Sequence, residues 1–166
     1  MSPEEASGIG CISFDAPEMS EAFSEVVFHV HTRIAGYGRC FNPLNMSDST
    51  ARKRAVGRVQ SVVESVFGTF FGQTPDERYG GDIFVQVATF CHHLANDHIF
   101  ADGNKRTALV MSIFALRLKG VLIPLEDSSV PEDNEAYTFI QDVVAGVKTL
   151  TELADEMRRI AQVDGR

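Results

Sequence analysis

The sequence predicts an all-α fold, a single helical domain built around one buried helix. Apolar residues recur at steps of three and four along most of the chain, the period of helices that each bury one face. One stretch, Leu109 to Leu118 with Val110, Met111, Ile113, Phe114, Ala115 and Leu116, is apolar on nearly every side, which places it in the middle of a domain. The length of 166 residues suits one domain with one substantial core.

Taken in order, residues 1 to about 17 mix Ser, Pro, Glu and Gly without period and read as a flexible or loosely docked extension. The domain is therefore placed at 20–162, after an extension of residues 1–19 and before a short tail of residues 163–166. From Ser20, the positions Phe23, Val26, Val27, Val30 and Ile34 define an amphipathic helix that Gly36 and Gly38 stop. A loop from Gly36 to Ser47 follows. Its Tyr37, Arg39 and Phe41 offer adaptable contacts for docking a target protein. Asp48 or Ser49 caps the next helix, whose expected stripe is Val56, Val59, Val62, Val63, Val66, Phe67 and Phe70, closed by Gly72. Its basic start, Arg52-Lys53-Arg54, reads first as a solvated face.

Residues 73–81 read as a polar turn region. Asp82 then caps a helix burying Ile83, Phe84, Val87, Phe90, Cys91 and Leu94. The apolar helix is expected from Gly103 to Lys119, ended by Gly120. Beyond it come a short extended piece with Pro124, an acidic loop over residues 128–134, and two helices at about 135–146 and 150–161. Thr149 and Glu152 form a capping box for the last.

Composition narrows the function. A formal net charge of −8 argues against a surface that coats nucleic acid, which requires a basic face. Cys11, Cys40 and Cys91 are odd in number and lack C-x-x-C spacing, so a disulfide framework is not expected and a reducing cytoplasm fits. Neither a signal peptide nor a membrane span is read in the chain. Cys91, His92, His93 and His98 do not make a zinc site, because adjacent histidines face different sides of a helix and no second ligand pair completes a tetrahedron.

The chemistry concentrates at His98-Ile99-Phe100-Ala101-Asp102-Gly103-Asn104-Lys105-Arg106, where the apolar helix begins. Helix N-termini carry free N–H groups and partial positive charge and bind phosphates. Lys105 and Arg106 add full charges, Asp102 offers a hard oxygen ligand for Mg²⁺, and His98 can move a proton near neutral pH. Two adjacent cations on a first helical turn are unfavourable unless an anion joins them. A Walker A loop is excluded, since no G-x-x-x-x-G-K-[ST] is present.

His98, Phe100, Asp102, Gly103, Asn104, Lys105 and Arg106 also fill the pattern H-x-F-x-[DE]-[GA]-N-[GK]-R, and the chain resembles the Fic/Doc (Fido) family. Lys105 in place of glycine, and Leu109 in place of a second arginine, are similar to the Doc branch. Gly57-Arg58-Val59-Gln60 also looks like the corresponding segment of Doc-type chains. The resemblance implies a Fido helical bundle with His98 as catalytic base and Phe100 as an anchor of the loop. It implies Asp102 as the Mg²⁺ ligand, and Gly103, Asn104, Lys105 and Arg106 as the holders of ATP phosphates. For the Doc branch it implies a toxin kinase that phosphorylates a hydroxyl of elongation factor Tu. Two alternatives stay open: AMP transfer to a protein hydroxyl, as in Fic-type adenylyltransferases, and a Fido domain that binds without turnover. The inhibitory [ST]-x-x-x-E-[GN] motif of many Fic proteins is not found. Restraint would then fall to a separate Phd-like antitoxin chain, with neither nucleic acid nor membrane as a direct partner.

Overall fold

The computed structural model describes residues 8–36, 48–124 and 135–163. Among these it forms seven helices and one pair of very short strands: α1 (Pro17–Gly36), α2 (Ser49–Phe67), α3 (Pro75–Tyr79), α4 (Ile83–Asn96), α5 (Asn104–Leu118), β1 (Val121–Leu122), α6 (Glu135–Val144), α7 (Leu150–Ile160) and β2 (Gln162–Val163). The fold is all-α, as expected. The loop carrying Tyr37, Arg39, Cys40 and Phe41, and the acidic loop, lie outside the described residues.

The caps form where short polar side chains precede apolar periodicity. The Asp48 carboxylate accepts from the N–H groups of Thr50 and Ala51, and Asp82 accepts from those of Phe84 and Val85. Thr149 and Glu152 make the reciprocal bonds of a capping box. A second box, Thr74 with Glu77, starts α3 inside the segment read as polar turn, so that short helix was missed. Helix α2 stops at Gly68 rather than Gly72. Phe70 leaves the buried stripe and exchanges two backbone hydrogen bonds with Gln73 across a tight turn at Phe71-Gly72.

Helix α4 is the hub. It packs against α2, α3, α5, α6 and α7, and Ile83, Phe84, Val87, Phe90, Cys91 and Leu94 are all fully buried. Helix α5 packs against α4, α1, α6 and β1, but it is not enclosed on every side as expected. Val110, Phe114 and Leu118, spaced by four, remain 39%, 38% and 52% exposed. Among the described residues that face is only partly covered, Phe114 meeting the ring of Phe23 at 5.9 Å. In α1 the buried stripe is Ser20, Phe23, Ser24, Val27, Phe28 and His31. It is rotated from the expected one, with Val26, Val30 and Ile34 only half-buried.

The N-terminal segment also departs from expectation. Residues 11–14 are not a loose extension. Cys11 N–H donates to Asp76 Oδ1, Ile12 exchanges bonds with the Gln86 side chain, and Phe14 N–H donates to the carbonyl of Phe67. Cys11 and Ile12 are buried, and the Phe14 ring meets those of Phe23 and Phe67 at tilted angles. A buried glutamine that offers both a donor and an acceptor can hold an extended strand without a sheet. At the other end, β1 and β2 pair antiparallel, Val121 with Val163 and Leu122 with Gln162, which ties the chain after α5 to the chain after α7.

Candidate active site

The motif forms the corner between α4 and α5. Asp97 caps α4, residues 98–103 make the turn, and α5 starts at Asn104. Gly103 stands at the N-cap with φ +80°, the left-handed region that suits glycine, and provides no side-chain cap. The first intrahelical bond runs from Thr107 N–H to the Gly103 carbonyl. The N–H groups of Asn104 and Lys105 precede that first bond, and an anion can serve as their acceptor.

Asn104 does something other than cap the helix. Its amide oxygen accepts from Phe100 N–H at 2.9 Å and its amide nitrogen donates to the Phe100 carbonyl at 2.7 Å. The side chain is buried and both its ends serve the loop. The side chain thus acts as a clamp that closes the turn, while the residue still lines the cavity at the helix start. Asp102 Oδ1 accepts from Gly103 N–H at 2.6 Å.

Phe100 is fully buried. One face of its ring lies on His31 of α1, centroids 3.8 Å apart and planes within 5°, and Phe28 meets it edge-on. His31 is buried, with Nδ1 3.4 Å from Thr107 Oγ1, and burial pulls its pKa down to about 4 against a weaker opposing pull from Asp102. On the other side of the corner, Arg58 of α2 donates to the carbonyls of Asp97 and His98.

The corner opens into a cavity of about 290 Å³ lined by Ala95, His98, Ala101, Asp102, Gly103, Asn104, Lys105, Arg106 and Tyr137. His98, Asp102, Gly103, Asn104, Lys105 and Arg106, all expected as site residues, thus share one hollow. Tyr137, His31 and Arg58 were not assigned to the site from the sequence. His31 sits four residues after Val27 on the buried stripe, a signal that spacing alone could have supplied. Tyr137 comes from α6, and nothing local to it points to a loop about thirty residues away. A larger open hollow of about 750 Å³ lies between the N-terminal segment and α2, lined in part by Asp15, Gln60 and Glu64. It gathers two carboxylates and neither a cation nor a histidine, so a phosphate favours the motif cavity.

Among the described residues, no three His, Cys, Asp or Glu side chains come together as a metal cage. A Mg²⁺ ion at Asp102 would take most of its remaining ligands from phosphates and water, the usual arrangement for this ion. The thiols of Cys11 and Cys91 are both pushed up to about 12 by burial, with Asp76 adding to the effect at Cys11. Neither is a nucleophile at neutral pH. No described helix is long and apolar enough to cross a membrane.

A histidine, a carboxylate and two cations thus gather around a helix start with no side-chain cap, on an all-α scaffold. Residues 23–116 match the model of the Fic/DOC family. The chain is 30% identical over 115 residues to the protein kinase doc of Escherichia phage P1, covering 69% of this chain and 76% of that protein. No solved structure matches it significantly. The chain belongs to the Fic/DOC family.

Proposed function

We propose that this chain is a Doc-like toxin kinase that transfers the γ-phosphoryl group of ATP to a Ser or Thr hydroxyl of a translation factor, elongation factor Tu. The observation that carries the reading is at Leu109. One turn after Lys105, its side chain enters an apolar gap with Ile113, Ile123, Ala136, Phe139 and Ile140. No second arginine stands there to grip a triphosphate in the orientation that AMP transfer uses. Similarity to a relative named as a protein kinase supports the same choice.

In this reading His98, which faces the cavity, takes the proton of the target hydroxyl. The hydroxyl oxygen bonds to the γ-phosphorus, the bond to the β–γ bridging oxygen breaks, and ADP leaves. Lys105, Arg106 and the partial positive charge at the start of α5 hold the phosphates. Asp102 would hold Mg²⁺, which neutralises phosphate charge when bound. A Phd-like antitoxin on a separate chain keeps the enzyme silent in a cytoplasmic setting.

The test is a transfer assay with Mg²⁺ and elongation factor Tu, using γ-labelled and α-labelled ATP in parallel, with His98→Ala as the blank. Label arriving only from the γ-position supports the kinase. Label from the α-position moves the chain to the AMP-transferring branch. If no label arrives from either position on any protein in whole lysate, the domain binds without turnover.

A further inference from the structure

His98 is one of two described non-glycine residues with positive φ, at +48°. That conformation is unfavourable for an L-residue and persists only where its surroundings over-determine it. Arg58 is placed to do so. Its Nη1 donates to the His98 carbonyl at 3.0 Å and its Nη2 donates to the Asp97 carbonyl at 2.8 Å. The Asp97 carbonyl belongs to the peptide plane before His98, and the His98 carbonyl belongs to the plane after it. The torsions that relate these two planes are φ and ψ of His98 itself. One rigid, planar guanidinium bonded to both carbonyls therefore fixes both torsions at once.

We propose that Arg58 is the positioning residue of this site, setting the backbone of His98 and thereby aiming its imidazole into the cavity. The kinetic half of this proposal rests on the transfer reading above; the conformational half does not. Arg58 comes from α2, forty positions earlier in the chain. It is exposed and borders an open hollow of about 310 Å³ with Ser61, Val62, Asp97 and Ile99, so its truncation leaves the core intact. Asn104 and the His31–Phe100 stack act on Phe100 and not on the His98 peptide planes. A simple helix C-cap would use the same bonds to end α4, but its loss would lower melting temperature without touching turnover selectively.

The experiment compares Arg58→Ala and Arg58→Lys with the parent chain. Backbone residual dipolar couplings across residues 96–100 report the His98 torsions, and steady-state transfer separates kcat from KM for ATP. The expected result is loss of the left-handed His98 conformation in Arg58→Ala. With it, kcat falls about tenfold to a hundredfold while KM changes less than twofold. Lysine, which keeps the charge but not the fork, restores part of both signals. Couplings at His98 unchanged in Arg58→Ala would overturn the proposal, as would a rise in KM with kcat intact. A parent chain without transfer activity would sink the kinase reading, and the couplings would still decide the clamp.

Discussion

The imidazole of His31 lies flat on the ring of Phe100, 3.8 Å between centroids, so the first helix of the domain forms the floor beneath the motif loop. His31 stays neutral there, because burial disfavours its cation more than Asp102 favours it.

This neutrality makes stability depend on pH. The folded pKa, about 4, lies below the value of 6.5 for a free histidine. The unfolded chain therefore binds the extra proton, and stability is complete above pH 6.5 and falls as pH drops toward 4. The full effect is roughly 3 kcal/mol. Burial and the neighbouring His93 lower His92 as well, with the same sign. In urea titrations between pH 7.5 and 4, His31→Phe should lose a large part of the parent's slope. An unchanged slope would remove His31 from the explanation.

Asn104 satisfies two buried backbone groups of Phe100. Asn104→Ala should cost roughly 2–4 kcal/mol, since both groups are left unpaired. Asn104→Asp can accept from the N–H but opposes the carbonyl, and should also destabilise. A loss of under 0.5 kcal/mol in thermal unfolding for the alanine variant would show that the clamp is not holding the turn.

Backbone strain at His98 predicts a separation of stability from activity. His98→Gly and His98→Ala should both be inactive, yet the glycine variant should be more stable than the alanine one by about 1 kcal/mol, because glycine, unlike alanine, occupies φ +48° without strain. Equal denaturation midpoints would mean that the corner relaxes to another conformation.

Asp102→Ala should weaken Mg²⁺-dependent ATP binding, measured by titration calorimetry with and without the metal. Its Oδ1 also bonds Gly103 N–H, so a melting curve must accompany the binding data. Parent-like affinity in the presence of Mg²⁺ would strip Asp102 of its metal role.

A different strain sits at Phe71, which is 92% exposed with φ +48° and precedes Gly72 at φ +77°. Two successive positive φ values are those of a type I′ turn, where Asn is preferred at the first position. Phe71→Asn should therefore raise stability by about 0.5–1 kcal/mol. A lower melting temperature would indicate that the exposed ring contributes to the fold.

Much of the fold was legible because it is written locally. Asp48, Asp82 and Thr149 marked helix starts, and spacing marked most buried faces. The failures share a cause. Phe70 continues the helical period of α2 but leaves it, since Gly68 and the turn at Phe71-Gly72 redirect the chain. Residues 11–14 have no period because they are held by Gln86 and Asp76, more than sixty positions away. Val110, Phe114 and Leu118 are as apolar as their neighbours, and only the placement of other helices leaves them open.

By itself the sequence determined the all-α class, the helix starts and the contiguous set of His98, Asp102, Gly103, Asn104, Lys105 and Arg106, because caps, periodicity and a short motif are properties of neighbouring residues. Tertiary structure alone decided what supports that set. His31 under Phe100, Arg58 on two successive carbonyls and Tyr137 in the cavity wall come from three other helices. The physical reason is that a strained loop is held by contacts across space, and those form only once the helices have packed.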